Sequence, residues 1–203
     1  MRVLIACEFS GIVRDAFASR GHYAVSCDIL SSERPGRHEQ GDIKKFFRTC
    51  KPSSWDLMIA HPPCTYLANS GARHLYVGGK KCNGPDPERW KLMREAAEFF
   101  WWFIDSNIER VCVENPIMHK HAMEMMDGVM YDQIIQPWMF GHGETKATCL
   151  WLRNLPKLVP TDIVKGREGR VWKEPPSSER WKNRSRTYQG IADAMAEQWG
   201  KLT

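Results

Sequence analysis

The sequence lacks the segments that place a protein in a membrane or outside the cell. Its longest apolar run, residues 96–104, contains Glu98 and is too short to span a bilayer. Nothing in it resembles a secretory leader, and no two of its seven cysteines have the Cys-x-x-Cys spacing of a zinc site. We therefore expect reduced cysteines, a cytoplasmic protein and no membrane partner.

Repeats, low-complexity tracts and the Gly-x-Gly-x-x-Gly fingerprint are also absent, and the missing fingerprint argues against an NAD enzyme. The 203 residues, of which 42% are hydrophobic, suit one globular domain or one domain with a small appendage. The net charge of +5 is compatible with a polyanion such as nucleic acid but does not require one.

The chain does contain alternating strand-like and helical patterns. Apolar runs at residues 2–7 and 23–27 flank a helical pattern that begins after Gly11, which predicts a βαβ unit with a right-handed crossover. A long helix is predicted from Pro87, with Asp86 as its N-cap. Further strand-like runs lie at residues 55–60, 110–113, 131–136 and 147–152. The pattern predicts an α/β fold with a parallel sheet.

Polar residues follow four of these predicted strands. They are Glu8-Phe9-Ser10-Gly11, Asp28, Cys64 and Glu114-Asn115. Ligands bind at the carboxyl ends of the strands in open α/β sheets, so four such ends predict a site. Pro62 and Pro63 end one strand and stiffen the loop that presents Cys64.

Cys64 and Glu114 form a predicted pair of nucleophile and acid. A thiol with a pKa near 8.5 needs help to ionise, and we expect a carboxyl group beneath prolines to hold a proton near neutral pH. Such a pair suits attack on an electron-poor ring whose nitrogen is protonated, such as a pyrimidine. The turn at Gly11 and the carboxylate of Asp28 fit a nucleoside-type cofactor.

The order of these motifs resembles the DNA cytosine-5 methyltransferase family over nearly the whole chain. The matching motifs are Phe9-Ser10-Gly11, Asp28, Gly41-Asp42-Ile43, Pro62-Pro63-Cys64, Glu114-Asn115-Pro116 and Glu144-Thr145-Lys146-Ala147-Thr148. The resemblance implies a Rossmann-like class I S-adenosylmethionine-dependent methyltransferase fold. That fold has a mostly parallel seven-stranded sheet with helices on both faces.

The resemblance also implies roles. Cys64 would attack C6 of cytosine in DNA, Glu114 would protonate N3, and C5 would take a methyl group from S-adenosylmethionine. Lys146 would supply a charge to the base. The implied cofactor contacts are Phe9, Ser10, Gly11, Asp28, Asp42, Ile43 and Pro62. The implied substrate contacts are Pro63, Asn115, Arg184 and Arg186. No metal is implied.

The chain departs from the family pattern in several places. Val13 replaces the second glycine of the first motif, and Glu144-x-Lys146-x-Thr148 replaces Gln-x-Arg-x-Arg. A large target-recognition domain is missing. We assign residues 1–155 and 187–203 to the catalytic domain and 156–186 to a short basic insert. Compact proteins of this kind resemble those of phages and prophages, so we expect the cytoplasm of a bacterial or phage-infected cell.

Alternatives remain open from sequence. The acceptor is duplex or single-stranded DNA, RNA or a free nucleotide, and the donor is S-adenosylmethionine or another one-carbon compound. A binder without turnover, acting alone or with a recognition partner, is a further reading, as monomer or small oligomer. The insert, with Trp172 and Trp181 among its basic residues, is either a solvated surface or a phosphate-contacting segment. A zinc site would use His61, Cys64, His74 and Cys82.

Overall fold

A seven-stranded sheet forms the middle layer of the protein, which we describe from a computed structural model of residues 1–202. The last residue of the predicted catalytic domain, Thr203, lies outside the described part. The strands are β1 (Arg2–Ala6), β2 (Tyr23–Asp28), β3 (His38–Gln40), β4 (Leu57–Ala60), β5 (Arg110–Pro116), β6 (Gln133–Ile135) and β7 (Thr148–Arg153). Their spatial order is β3-β2-β1-β4-β5-β7-β6, and β7 runs antiparallel to both of its neighbours.

Helices cover both faces of this sheet. They are α1 (Ile12–Ala18), α2 (Ile43–Thr49), α3 (Pro87–Ile104), α4 (Lys120–Glu124), α5 (Arg170–Lys173), α6 (Arg180–Ser185) and α7 (Gln189–Trp199). The predicted α/β architecture, a mostly parallel seven-stranded sheet with helices on both faces, is confirmed. Within residues 1–202, none of the helices combines the length and apolarity needed to cross a membrane.

Two hydrophobic cores lie on opposite faces because successive side chains of a strand alternate. Val3 and Ile5 of β1 belong to the core that α1 and α7 cover, whereas Leu4 and Ala6 belong to the core beneath α3. Because the central strands are buried on both faces, they appear in the sequence as continuous apolar runs rather than alternating ones.

Two strands differ from the sequence expectation. No strand is predicted at His38–Gln40, yet this stretch pairs with β2 at the sheet edge through its backbone. β5 continues through Glu114, Asn115 and Pro116, because β7 pairs with these residues after β4 has ended. Glu114 and Asn115 are therefore fixed by a strand and do not belong to a loop.

Residues 156–186, the basic segment, pack along the chain that precedes β7. Backbone bridges join Phe140 to Asp162 and Glu144 to Glu168. The segment then forms α5 and α6, and its Trp181 ring lies 6.0 Å from that of Phe9. The segment is thus anchored over the loop that follows β1.

Candidate active site

One residue from each of the four central strands lies in a single row across the carboxyl edge of the sheet. Ala6 pairs with Cys27 and with Ala60, and Ala60 pairs with Val113. One step further along each strand come Cys7, Asp28, His61 and Glu114, which we call the edge row. Parallel pairing aligns the strand ends, so these residues are neighbours although up to 107 positions separate them in sequence.

His61 and Glu114 form the closest contact in the edge row. His61 Nδ1 lies 3.5 Å from Glu114 Oε2, and only 9% and 17% of the two side chains are exposed. Burial would raise the pKa of Glu114, but His61, Lys146 and Thr148 outweigh it and lower the pKa. The expectation that Glu114 holds its proton near neutral pH is therefore wrong. The groups that lower its pKa come from other parts of the chain, and the sequence alone does not show that they lie close to it.

Cys64 is exposed three residues beyond the edge row, on a loop that is held from two sides. Asn115 Nδ2 donates to the Pro62 carbonyl at 3.0 Å from beneath the loop. Arg89, in the first turn of α3, donates to the Thr65 carbonyl at 2.9 Å. These bonds set the direction of the thiol. Asn115 is buried, so its contact with the loop suits positioning rather than the predicted contact with substrate.

Opposing charges act on the Cys64 thiol. Desolvation by the surrounding chain raises its pKa, and the nearby charge of Glu114 raises it further. The charges of Lys146 and Arg184 lower the pKa but do not outweigh these effects. The structure thus brings together three predicted groups around Cys64: Glu114, Lys146 and Arg184.

The carboxylate of Glu8 occupies the N-terminus of α1. Its Oε1 accepts from Val13 N at 2.7 Å, and its Oε2 accepts from Arg14 N at 3.3 Å. Dinucleotide enzymes place a pyrophosphate against these N–H groups. Glu8 fills that position with a charge of the same sign, so the first turn of this fold is unsuited to a phosphate-bearing cofactor.

Arg14 organises the loop that follows β2. Its guanidinium is buried and donates to Ser26, Ser32 and the carbonyls of Arg34 and Pro35. A Cβ at Gly11 would lie 2.5 Å from Arg14, and the φ of Gly11 is +71°. A glycine is therefore required at this predicted cofactor position for two independent reasons.

The remaining predicted cofactor residues surround the same edge. Asp28 Oδ1 accepts from Leu30 N at 2.9 Å, and burial raises the Asp28 pKa. Asp42 caps α2 by accepting from Lys45 N at 3.0 Å, while Ile43 is buried in the core. Phe9, Ser10 and Pro62 are also buried.

Three basic residues occupy different positions with respect to the site. Lys146 Nζ donates to the Arg186 carbonyl at 3.2 Å, so it ties the basic segment to the residues before β7. The Arg186 guanidinium forms a two-pronged ion pair with Glu33, with Nε 2.8 Å from Oε2. Arg184 is half-buried, and its charge acts on Cys64. The side chain of Arg186, a predicted substrate contact, is thus engaged in an ion pair within the chain.

The structure does not support the zinc alternative. Among residues 1–202, it gathers no group of three or more His, Cys, Asp or Glu side chains that could hold a metal ion. Cys64 and Cys82 are free thiols on the long loop before α3.

Sequence reasoning missed the roles of three residues at this site. His61 was considered only as a zinc ligand, although counting by twos from Ile59 places it on the face that Glu114 shares with Cys112. Glu8 was grouped with the Gly11 turn without its capping role. Arg14 gave no signal, because a single arginine in a short amphipathic helix is usually solvated.

Comparisons with known proteins give little beyond the fold. No model of a known protein family matches the chain, and no curated protein is similar to it. One similar solved structure is described as a candidate DNA modification methyltransferase encoded within a prophage of E. coli. The two are 16% identical with a TM-score of 0.46, and the match covers 86% of this chain. The chain spans 55% of the length of that structure.

Proposed function

We propose that the protein transfers a methyl group from S-adenosylmethionine to C5 of cytosine in DNA, through a covalent bond between Cys64 and C6. The observation that carries this proposal is the placement of Cys64. Its exposed thiol stands at the carboxyl edge of the sheet, within the electrostatic reach of Glu114, Lys146 and Arg184.

The residues at this edge of the sheet suit the proposed cofactor. S-adenosylmethionine supplies a methyl group on a positively charged sulfur and carries no phosphate. The edge of the sheet that would hold it is acidic, with Glu8, Asp28 and Asp42 near Cys7. Gly11 allows the backbone to approach a ligand, and Asp28 is placed to bind ribose hydroxyls.

In the proposed reaction, four residues near the sheet edge have a role: Cys64, Glu114, Lys146 and Arg184. The Cys64 thiolate bonds to C6 while N3 takes a proton from the side of Glu114, and Lys146 and Arg184 stabilise the thiolate. C5 then takes the methyl group and loses its proton to a base. The S–C6 bond breaks as N3 returns its proton, which restores the aromatic ring.

DNA is the proposed acceptor because positive charge is concentrated in the basic segment, whose Arg184 acts on the Cys64 thiol. The basic segment contains nine Lys and Arg and four Asp and Glu residues, a surplus equal to the net charge of the entire chain. A cytosine within a duplex must leave the stack before its C6 is accessible. The segment is smaller than a domain that recognises a duplex sequence. Single-stranded DNA and free nucleotides are therefore tested as acceptors beside duplex DNA.

Trapping with 5-fluorocytosine tests the proposal. An oligonucleotide bearing this base should form an adduct with the protein and S-adenosylmethionine, because the fluorine cannot leave as a proton does. Cys64→Ser should abolish the adduct, and Cys82→Ser, which alters another exposed thiol of the same loop, should retain it.

Labelled methyl transfer to duplex DNA, single strands and dCMP identifies the acceptor. Incorporation into DNA that Cys64→Ser abolishes supports the proposal. Incorporation into dCMP alone would replace DNA by a nucleotide as the substrate. Binding to DNA in a gel shift, with neither an adduct nor transfer, would show a binder without turnover.

A further inference from the structure

His61 has a buried imidazole with no conventional hydrogen-bond partner. Its side chain is 9% exposed, and among the described residues neither Nδ1 nor Nε2 makes a hydrogen bond. Buried polar atoms nearly always have a hydrogen-bond partner. Two buried ring nitrogens without one, at the edge of a site, therefore need an explanation. The nearest acceptor is Glu114 Oε2, 3.5 Å from Nδ1.

Carboxylates face His61 from three elements of the fold. Glu8 lies in the loop after β1, Asp28 ends β2, and Glu114 lies in β5. Burial raises the pKa of Glu8 and of Asp28, and the charge of His61 opposes that rise. On Glu114, where burial also raises the pKa, His61 contributes to a net lowering. Lys146 adds a positive charge on the side of Glu114. His61 is therefore the imidazole of the edge row, and it lies among three carboxyl groups.

The proposed reaction requires a proton where Glu114 does not hold one. N3 needs a proton as Cys64 attacks C6, yet the lowered pKa of Glu114 leaves it ionised near neutral pH. An ionised carboxylate beside the N3 lone pair would repel it. A second group within reach of Glu114 would supply the proton more readily than solvent does near neutral pH.

We propose that His61 is a positioning residue that holds this proton and passes it through Nδ1 to Oε2 of Glu114 as Glu114 protonates N3. This inference rests on the proposed function. During attack, the Nδ1–H bond of the imidazolium breaks and an O–H bond forms on Glu114, and this O–H bond breaks in turn as the same proton bonds to N3. His61 is then neutral and Glu114 is a carboxylate. When the thiolate leaves C6, that one proton returns from N3 through Glu114 to His61, so the pair ends as it began.

The ratio of wild-type to variant rates across pH tests the relay. We measure adduct formation with a 5-fluorocytosine oligonucleotide for wild type, His61→Gln and His74→Gln between pH 5.5 and 8.5. His61→Gln should slow the reaction by about 100-fold at pH 8, the lower range for one acid catalyst. The loss should narrow at pH 5.5, where solvent can protonate Glu114. The exposed His74 is the matched control and should leave the rate unchanged.

A double-mutant cycle separates a relay from a structural role. If His61 acts through Glu114, His61→Gln should have no further effect in a Glu114→Gln background. If His61→Gln fails to fold, NMR of labelled histidine replaces it, with the titration of the His61 ring as the measured quantity. In that case, Glu114→Gln must change the titration of the His61 ring, and an unchanged titration overturns the proposal.

The outcomes distinguish the two proposals. No adduct with wild type at any pH means that the proposed function fails. An adduct with wild type, together with a ratio for His61→Gln that is the same at every pH, leaves the function standing and overturns the relay.

Discussion

At the scale of single residues, the thiol of Cys64 is the group on which the proposed reaction depends. It is exposed, but its pKa is raised by desolvation and by Glu114, and two cations only partly compensate. Without substrate the nucleophile is therefore mostly protonated near neutral pH. The thiol of such a site stays protonated and unreactive until a bound substrate changes the surrounding charges.

Alkylation of Cys64 by iodoacetamide should follow this pKa. The rate should rise about tenfold for each pH unit between pH 6.5 and 8.5, because only the thiolate reacts and its fraction grows tenfold per unit below the pKa. Lys146→Met should slow the reaction at Cys64 at every pH in this range, since it removes a charge that stabilises the thiolate.

Mass spectrometry of the modified peptides measures this rate, with the exposed Cys82 as an internal reference. Lys165→Met, which removes an exposed charge from the basic segment, is the matched control and should have little effect. An unchanged rate in Lys146→Met would contradict the placement of this charge beside the thiol.

At the scale of elements, two charged residues fix the position of α1, and neither of them stands out in the sequence. Glu8 occupies the N–H groups at its start, and Arg14 bonds to β2 and to the loop after it. Because the loop carries Asp28 at one end, the anchor of a helix also shapes the proposed cofactor site. Removing Arg14 would leave the buried Ser26 hydroxyl and two part-buried carbonyls without this donor.

Arg14→Met should lower the free energy of unfolding by about 3–5 kcal/mol, the cost of breaking a buried charged network. Arg20→Met is the control, because Arg20 forms more exposed ion pairs with Asp193 and Glu197, and its loss should cost under about 1 kcal/mol. Urea unfolding of both variants measures the difference. Equal losses in the two would show that Arg14 is not the anchor of this loop.

At the scale of the whole molecule, charge is distributed unevenly. The basic segment holds a surplus equal to the net charge of +5, while the sheet edge beneath it presents Glu8, Asp28 and Glu114. A polyanion and a cationic cofactor would thus meet groups of opposite charge in different parts of the molecule. Long-range steering of DNA by such a segment depends on ionic strength.

Two arginines that look alike in sequence should differ in DNA binding. Arg184→Gln should reduce the slope of log affinity against log salt by about 0.9, the value of one phosphate contact. Arg186→Gln should change the slope less, because Arg186 is already paired with Glu33. Fluorescence anisotropy with a labelled oligonucleotide measures the slopes of both variants. The salt concentration is varied from about 50 to about 200 mM, the range over which such slopes are resolved. A larger change for Arg186 would show that its ion pair opens on binding.

The sequence by itself determined the order of the elements and the polar residues at the strand ends. Buried parallel strands require apolar runs, and prolines or glycines must stand where those runs end, so both features are local and visible. The motif Pro62-Pro63-Cys64 and the later Glu114 follow from that pattern. The cap of α3 at Asp86 was visible for the same reason, and it is confirmed.

Only the tertiary structure decided which of these residues are neighbours and how they are charged. The register of β4 against β5 places His61 opposite Glu114, and β7 extends β5 beyond the end of β4. Those contacts lower the pKa of Glu114, reversing the expectation drawn from burial alone. Electrostatic interactions depend on distance through space, and distance between strands is fixed by pairing rather than by separation along the chain.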